Sequence, residues 1–154
     1  MSIRNMETED IPKVLALQDS LAFQEWNASV FQSEIKAPYS YAIVYEEGSE
    51  IVGYAVFHLM GEDSELLSIA VSEKVQQKGI GGKLLESGLS RLDLDKQDRC
   101  FLEVREKNIK ARRFYEKHGF ALFGIRKKYY ADGENAALYR TEDRSDIDPS
   151  LKGL

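Results

Sequence analysis

The sequence predicts a single-domain α/β fold, a mixed sheet flanked by helices in the order β-α-α-β-β-β-α-β-α-β-β. Three observations predict it. Apolar residues recur at helical spacing in four segments. Short apolar runs bounded by turn residues fill the stretches between them. The length, 154 residues, suits one domain with a core that needs no disulfide or metal.

Taken in order, a first strand around Ile3 leads to a helix that Thr8 or Asp10 can cap. Pro12 is tolerated in its first turn, and Ile11, Val14, Leu15 and Leu21 form its apolar stripe. Asn27 can cap a second helix reaching Lys36, with Val30, Phe31 and Ile35 inward. Tyr39–Glu46 and Ile51–Met60 read as a hairpin turning at Glu47-Gly48-Ser49-Glu50, and Gly61-Glu62-Asp63 leads into a third strand, Ser64–Val71. A helix opening at Ile80 carries Leu84, Leu85, Leu89 and Leu92. After a polar loop, 93–98, comes a short strand, Cys100–Val104. Asn108 caps a helix over Ile109–Lys117 that Gly119 ends. Phe120–Tyr130 and Asn135–Arg140 form the last hairpin. Residues 1–140 are the expected domain, and 141–154 an acidic, polar tail.

Composition excludes several classes. With 21 Lys+Arg against 26 Asp+Glu the net charge is −5, which argues against non-specific nucleic-acid binding. A single cysteine, Cys100, closes no intramolecular disulfide, and the first residues carry Glu7, Glu9 and Asp10 without an apolar run. A cytoplasmic protein with no secretory signal and no membrane span is expected. The charge is unevenly spread. Residues 105–128 hold nine basic and two acidic side chains, net +7, and the rest of the chain sums to −12.

The strongest chemical signal is Gln76-Gln77-Lys78-Gly79-Ile80-Gly81-Gly82, between a strand and a helix. Glycines there let a ligand approach the backbone, and the first helical N–H groups favour an anion, phosphate above all. Spacing removes two nucleotide readings. A dinucleotide fingerprint needs a third glycine where Leu84 stands. A Walker A loop needs Ser or Thr at Leu84 and a glycine at Gln77.

The remaining pattern, Q-x-x-G-x-G, resembles the pyrophosphate loop of the GCN5-related N-acetyltransferases (GNAT). The preceding Ser68-Ile69-Ala70-Val71, the Asn108 helix, Tyr115 and the Gly119-Phe120 exit follow in that family's order. Two segments resemble the bacterial ribosomal-protein-alanine N-acetyltransferases (RimI type). They are Leu102-Glu103-Val104-Arg105 through Phe120, and Ile125–Tyr130 followed by Gly133-Glu134-Asn135-Ala136. Trp26 with Phe31 agrees. The resemblance implies a mostly antiparallel sheet and an acetyl-CoA-dependent enzyme acting on a protein N-terminus. The implied acceptor is the N-terminal alanine of the small-subunit ribosomal protein numbered eighteen. It implies that Gln77, Lys78, Gly79, Ile80, Gly81 and Gly82 hold the cofactor's pyrophosphate. Asn108 and the backbone of Ile69, Ala70 and Val71 would meet its pantetheine arm. Glu103 becomes the general base, through a water, and Tyr115 the general acid for the departing thiolate.

Chemistry on the residues agrees. An α-amine, with a pKa of about 8 against about 10.4 for lysine, needs only a modest base. Glu103 interrupts an apolar strand beside Phe101, where desolvation would raise its pKa. Each signal also has an ordinary reading: Glu103 as a surface carboxylate, Tyr115 as packing beside Ala111 and Phe114, Asn108 as a helix cap. The chain departs from the family at Glu73, often proline, and at Gly82, often basic, a loss that Lys78 and Lys83 can offset. A small-molecule amine acceptor and a non-catalytic acyl-CoA-binding module are the alternatives.

Other constellations carry less. Cys100 heads an apolar strand with no histidine near in sequence and reads as a buried structural residue. His58 and His118 lack metal-ligand spacing, so no metal is expected. Arg126-Lys127-Lys128 with Tyr129 and Tyr130 suits a solvated strand with tyrosines over a substrate groove better than RNA stacking.

Overall fold

The computed structural model describes residues 2–21, 26–76 and 78–142. The fold is α/β, with seven strands in the order β1-β2-β3-β4-β5-β7-β6. The chain forms two compact units. One joins the residues up to Leu59 with Leu66–Arg91; the other joins Met60–Glu65 with the chain from Leu92 onward.

The first unit contains β1 (Ser2–Asn5), α1 (Ile11–Ser20), α2 (Ala28–Lys36), β2 (Ser40–Glu47), β3 (Glu50–His58), most of β4 (Ser64–Val71) and α3 (Ile80–Leu89). Seven consecutive residues of β3, Ile51–Phe57, are buried, because helices cover both faces of the sheet there. On one face Val14 and Leu17 of α1 and Phe31 of α2 pack with Val44, Tyr54 and Val56. Trp26 closes edge-on against Phe31, ring centroids 5.2 Å apart. On the other face α3 approaches so closely that a Cβ at Gly88 would lie 2.3 Å from the ring of Phe57. Tyr54 keeps its buried hydroxyl bonded to Ser68 Oγ (2.8 Å) and Gln18 Oε1 (3.2 Å). Gln18 in turn donates to the Trp26 carbonyl.

The second unit contains the start of β4, then β5 (Cys100–Arg105), α4 (Ile109–Lys117), β6 (Phe120–Arg126) and β7 (Ala136–Thr141). β5–β7 and β6–β7 are antiparallel. The parallel register of β4 with β5 is two pairs long, Ser64 with Cys100 and Glu65 with Phe101.

The element order matches the expected string, and the differences lie at the ends. Asp10 stands at the N-cap position of α1 but gives the helix no side-chain capping bond. A 3-10 turn, Thr8–Asp10, precedes it, and the Asp10 carboxylate is taken by the Glu7 N–H and by Arg4. Asn27 does cap α2, accepting from the Val30 N–H at 3.0 Å, and Phe31 is buried while Val30 and Ile35 are half-buried. α3 stops at Leu89, so Leu92 falls outside the helix. β6 stops at Arg126 rather than Tyr130, because the chain then turns with Lys128 at φ +53° and its N–H on Asn135 Oδ1. β7 runs one residue past the expected boundary. Thr141 is buried, and its hydroxyl accepts the Cys100 N–H at 3.0 Å, a donor otherwise costly to bury. Glu142 bonds its N–H to the Gly119 carbonyl at 3.1 Å, and the expected tail from 143 onward lies outside the described residues. No helix among the described residues is long and apolar enough to cross a membrane.

Candidate active site

In the first unit β4 delivers the chain to the glycine loop. Its side chains alternate, with Leu66, Ser68 and Ala70 buried and Leu67, Ile69 and Val71 half-buried. Ser72 bonds its N–H to the Val52 carbonyl, and the Val71 carbonyl accepts the Gln76 side chain at 3.1 Å. Gly79 then takes the left-handed conformation (φ +80°, ψ 10°) at the N-terminus of α3, one that L side chains reach only with strain. A Cβ there would meet nothing within 4 Å, so the backbone is open to an incoming group. The first amide bonded along α3 is Lys83 N–H, to the Gly79 carbonyl at 3.1 Å. Those of Ile80, Gly81 and Gly82 precede it and point out of the helix end, where an anion is favoured. Ile80 contributes only its backbone, since its side chain is buried near Leu84 and Gly53. Lys78 and Lys83 are exposed beside the loop. Gln77 lies outside the described residues. Open backbone, outward amides and two flanking cations fit a diphosphate ester.

The second unit holds Glu103, Asn108 and Tyr115. Across β5 and β7, Leu102 stands opposite Tyr139 and Glu103 opposite Leu138. Neighbouring residues point to opposite faces. Tyr139 bonds to Arg112 and Glu116 of α4, so α4 covers the face of Leu102 and Tyr139. Glu103 projects from the other face. Glu103 and the Tyr115 helix therefore belong to opposite sides of this half of the sheet.

On the Glu103 face, Phe101 meets the Phe123 ring edge-on at 5.8 Å, and the Arg140 guanidinium lies 5.3 Å from the same ring. The Glu103 carboxylate is one-third exposed rather than desolvated, and an Arg126 nitrogen lies 3.9 Å away. Tyr129 hydrogen-bonds to it, and this bond holds the phenol above its ordinary pKa of 10.0. The loop bearing Tyr129 is tied to β5 through Arg105, whose guanidinium bonds Asp132 at 2.9 Å and Glu134 at 2.7 Å and lies over the Tyr130 ring. Asn135 and Glu106 add bonds in both directions.

On the α4 face, Asn108 caps the helix by accepting from the Ala111 N–H at 3.2 Å. Tyr115 is half-buried between the rings of Phe114 (5.3 Å) and Phe120 (5.9 Å). Tyr139 is wholly buried. Its hydroxyl donates to Glu116 Oε2 at 2.6 Å and accepts from Arg112 Nε at 2.9 Å. Burial first, and then the bond to Glu116, hold its phenol above the ordinary value. Sequence reasoning missed Tyr139, Arg112, Glu116 and the contact of Tyr129 with Glu103. Only the first left a signal: a tyrosine at an inward strand position needs a partner for its hydroxyl. Arg105 and Arg112, two of the nine basic residues in the 105–128 block, are occupied within the protein. Cys100 is buried, and His58 bonds Glu34 at 2.8 Å. No group of three metal-ligating side chains occurs among the described residues.

The acetyltransferase (GNAT) family model matches residues 2–120. An N-alpha-acetyltransferase RimI of Mycobacterium tuberculosis (strain ATCC 25618 / H37Rv) is 32% identical over 130 residues, covering 81% of this chain and 78% of the relative. The [ribosomal protein bS18]-alanine N-acetyltransferase of Escherichia coli (strain K12) is 28% identical over 139 residues, 89% of this chain and 93% of the relative. The crystal structure of the ribosomal-protein-S18-alanine N-acetyltransferase from Escherichia coli superposes with a TM-score of 0.79 at 28% identity, over 92% of this chain and 93% of that one. With more than half its length matched by the family model, and with the strand, glycine loop and helix the sequence led one to expect, the chain belongs to the acetyltransferase (GNAT) family.

Proposed function

We propose that this acetyltransferase moves the acetyl group of acetyl-CoA to the α-amino group of a protein N-terminus, with the N-terminal alanine of ribosomal protein bS18 as its acceptor. The observation that carries the reading is the open backbone before α3, with Gly79 left-handed and Lys78 and Lys83 exposed beside it, in a chain of the acetyltransferase (GNAT) family. Direct transfer takes a proton from the attacking amine and delivers one to the leaving sulfur. The names of the relatives support the α-amine and the ribosomal acceptor. A ribosomal-protein acceptor puts the reaction in the cytoplasm.

Bound acetyl-CoA supplies the acetyl group as an activated thioester. Residues 78–82 would hold its diphosphate through backbone amides, with Lys78 and Lys83 supplying the cations. The peptide groups of Ile69, Ala70 and Val71 would pair with the pantetheine arm in the manner of an added strand, and the Asn108 side chain would meet the same arm. Glu103 accepts the amine proton, through a water, as the C–N bond forms. Tyr115 holds the proton that its hydroxyl gives to sulfur as the C–S bond breaks. Exposure of Glu103 suits a polypeptide acceptor, since the chain's end must reach it from solvent.

The test incubates the full chain with acetyl-CoA and a synthetic basic peptide beginning with alanine, alongside polyamines and amino sugars. A gain of about 42 mass units on the peptide α-amine is expected. Acetylation of the free amines alone would move the assignment to a small-molecule enzyme. Acetyl-CoA binding without any product would make the protein a binding module.

A further inference from the structure

We propose that Tyr139 is a positioning residue for catalysis: its buried hydroxyl, held between Arg112 and Glu116, sets the orientation of α4 and thereby of Tyr115. The inference rests on the reading of Tyr115 as general acid and adds a residue that the sequence pattern did not assign.

The bonds are few and well placed. Tyr139 sits in β7, wholly buried, and is the only described β7 side chain bonded to α4 by two hydrogen bonds. It donates to Glu116 at 2.6 Å and accepts from Arg112 at 2.9 Å. Arg112 and Glu116 are four residues apart and share one helix face, so a single hydroxyl holds a full turn of α4. Tyr115 lies inside that turn. The other arm of the Arg112 guanidinium donates to the Glu106 carbonyl at 2.9 Å, which ties the segment leading to Asn108 to the same anchor. α4 contains no fully buried residue, and its Tyr115 lies edge-on against the buried ring of Phe120. An amphipathic helix normally derives its placement from an apolar face. Here charge-assisted bonds to one phenol add to the ring contacts of α4, and such bonds are directional where apolar packing is not. Rotation of α4 by a few degrees would swing the Tyr115 hydroxyl away from the leaving sulfur, and misplacement of a reacting group by about 1 Å can cost up to about a hundredfold in rate.

The experiment is a double-mutant cycle in the full chain, read as kcat, KM for each substrate and the pH profile. Tyr139→Phe keeps the ring and removes the hydroxyl. It is expected to lower kcat about tenfold, to leave KM for the peptide unchanged and to shift the alkaline limb of kcat. Tyr115→Phe is expected to lower kcat further, and Tyr139→Phe added to it to have no extra effect, because the group it positions is gone. Multiplicative losses in the double variant, or a Tyr139→Phe protein that loses thermal stability while keeping kcat and its pH profile, would overturn the proposal. If Tyr115→Phe alone keeps full turnover, the general-acid reading fails, and that outcome is visible in the single variant before the cycle is closed. Glu116→Ala, at an exposed position, removes one of the two bonds and serves if Tyr139→Phe does not fold; the same pattern with a smaller loss is expected.

Discussion

Arg4 grips Asp10 with two nitrogens, Nη1 to Oδ2 at 2.8 Å and Nη2 to Oδ1 at 2.9 Å, and uses Nη2 again on Glu46 at 2.9 Å. The pair joins β1 to the turn before α1, and Asp10 also accepts the Glu7 N–H. Arg4 holds the Asp10 carboxyl below its ordinary 3.8, so the folded chain binds that proton more weakly than the unfolded chain. The resulting stability is present above about pH 4 and is lost as the pH falls through the depressed folded-state value. Asp10→Asn is expected to cost about 1–2 kcal/mol at neutral pH, with Arg4 one-third exposed and partly screened. Urea titrations should show the gap to the unaltered protein closing below about pH 4. A gap independent of pH would contradict this account.

The contact of Gly88 with Phe57 makes a sharper stability prediction. A methyl group at Gly88 would lie 2.3–2.5 Å from three ring carbons of a wholly buried Phe57. Gly88→Ala should destabilise by about 1–3 kcal/mol despite the better helix propensity of alanine. Phe57→Leu in the same chain should recover part of the loss, measured by thermal melting. A stabilised Gly88→Ala protein would mean that α3 and β3 are not packed as described.

At Gly79 the cost is conformational rather than steric. The φ of +80° is strained for alanine by roughly 1–2 kcal/mol, yet its Cβ would touch nothing. Gly79→Ala should therefore melt only slightly lower while binding acetyl-CoA more weakly, as the backbone relaxes away from the open geometry. Calorimetric titration decides it; unchanged affinity would remove the loop from the proposed diphosphate site.

Glu103 and Tyr115 should respond differently. Glu103→Gln is expected to lower kcat by about a hundredfold or more, with the largest deficit at low pH, where the amine is mostly protonated. Tyr115→Phe should lower kcat while leaving the acetyl-CoA dissociation constant within about twofold. Full turnover in both variants would show that other groups carry the protons.

Local signals account for most of what could be read in advance. The caps at Asn27 and Asn108, the glycine after α4 and the hairpin at Gly48-Ser49 depend on residues within four positions of one another. The glycine loop is legible for the same reason: its spacing alone excludes two other nucleotide loops. Asp10 was misread because its carboxylate could serve either a helix end or a cation, and Arg4 is placed by a strand pairing that no local pattern reports. The end of β6 was misread because the left-handed Lys128 depends on Asn135, seven residues on.

By itself, then, the sequence determined the order of the elements, their type and the open loop before α3, all consequences of short-range periodicity, capping and spacing; Glu103 and Tyr115 were singled out by the resemblance to the family. Only the tertiary structure decided that Glu103 faces away from the side covered by α4, that Tyr129 and Arg126 come to its carboxylate, and that Tyr139 fastens the helix bearing Tyr115. Those facts follow from the register of β5 on β7, where a shift of one residue would exchange every face. Register is set by long-range pairing of strands more than thirty residues apart, and no window along the chain contains it.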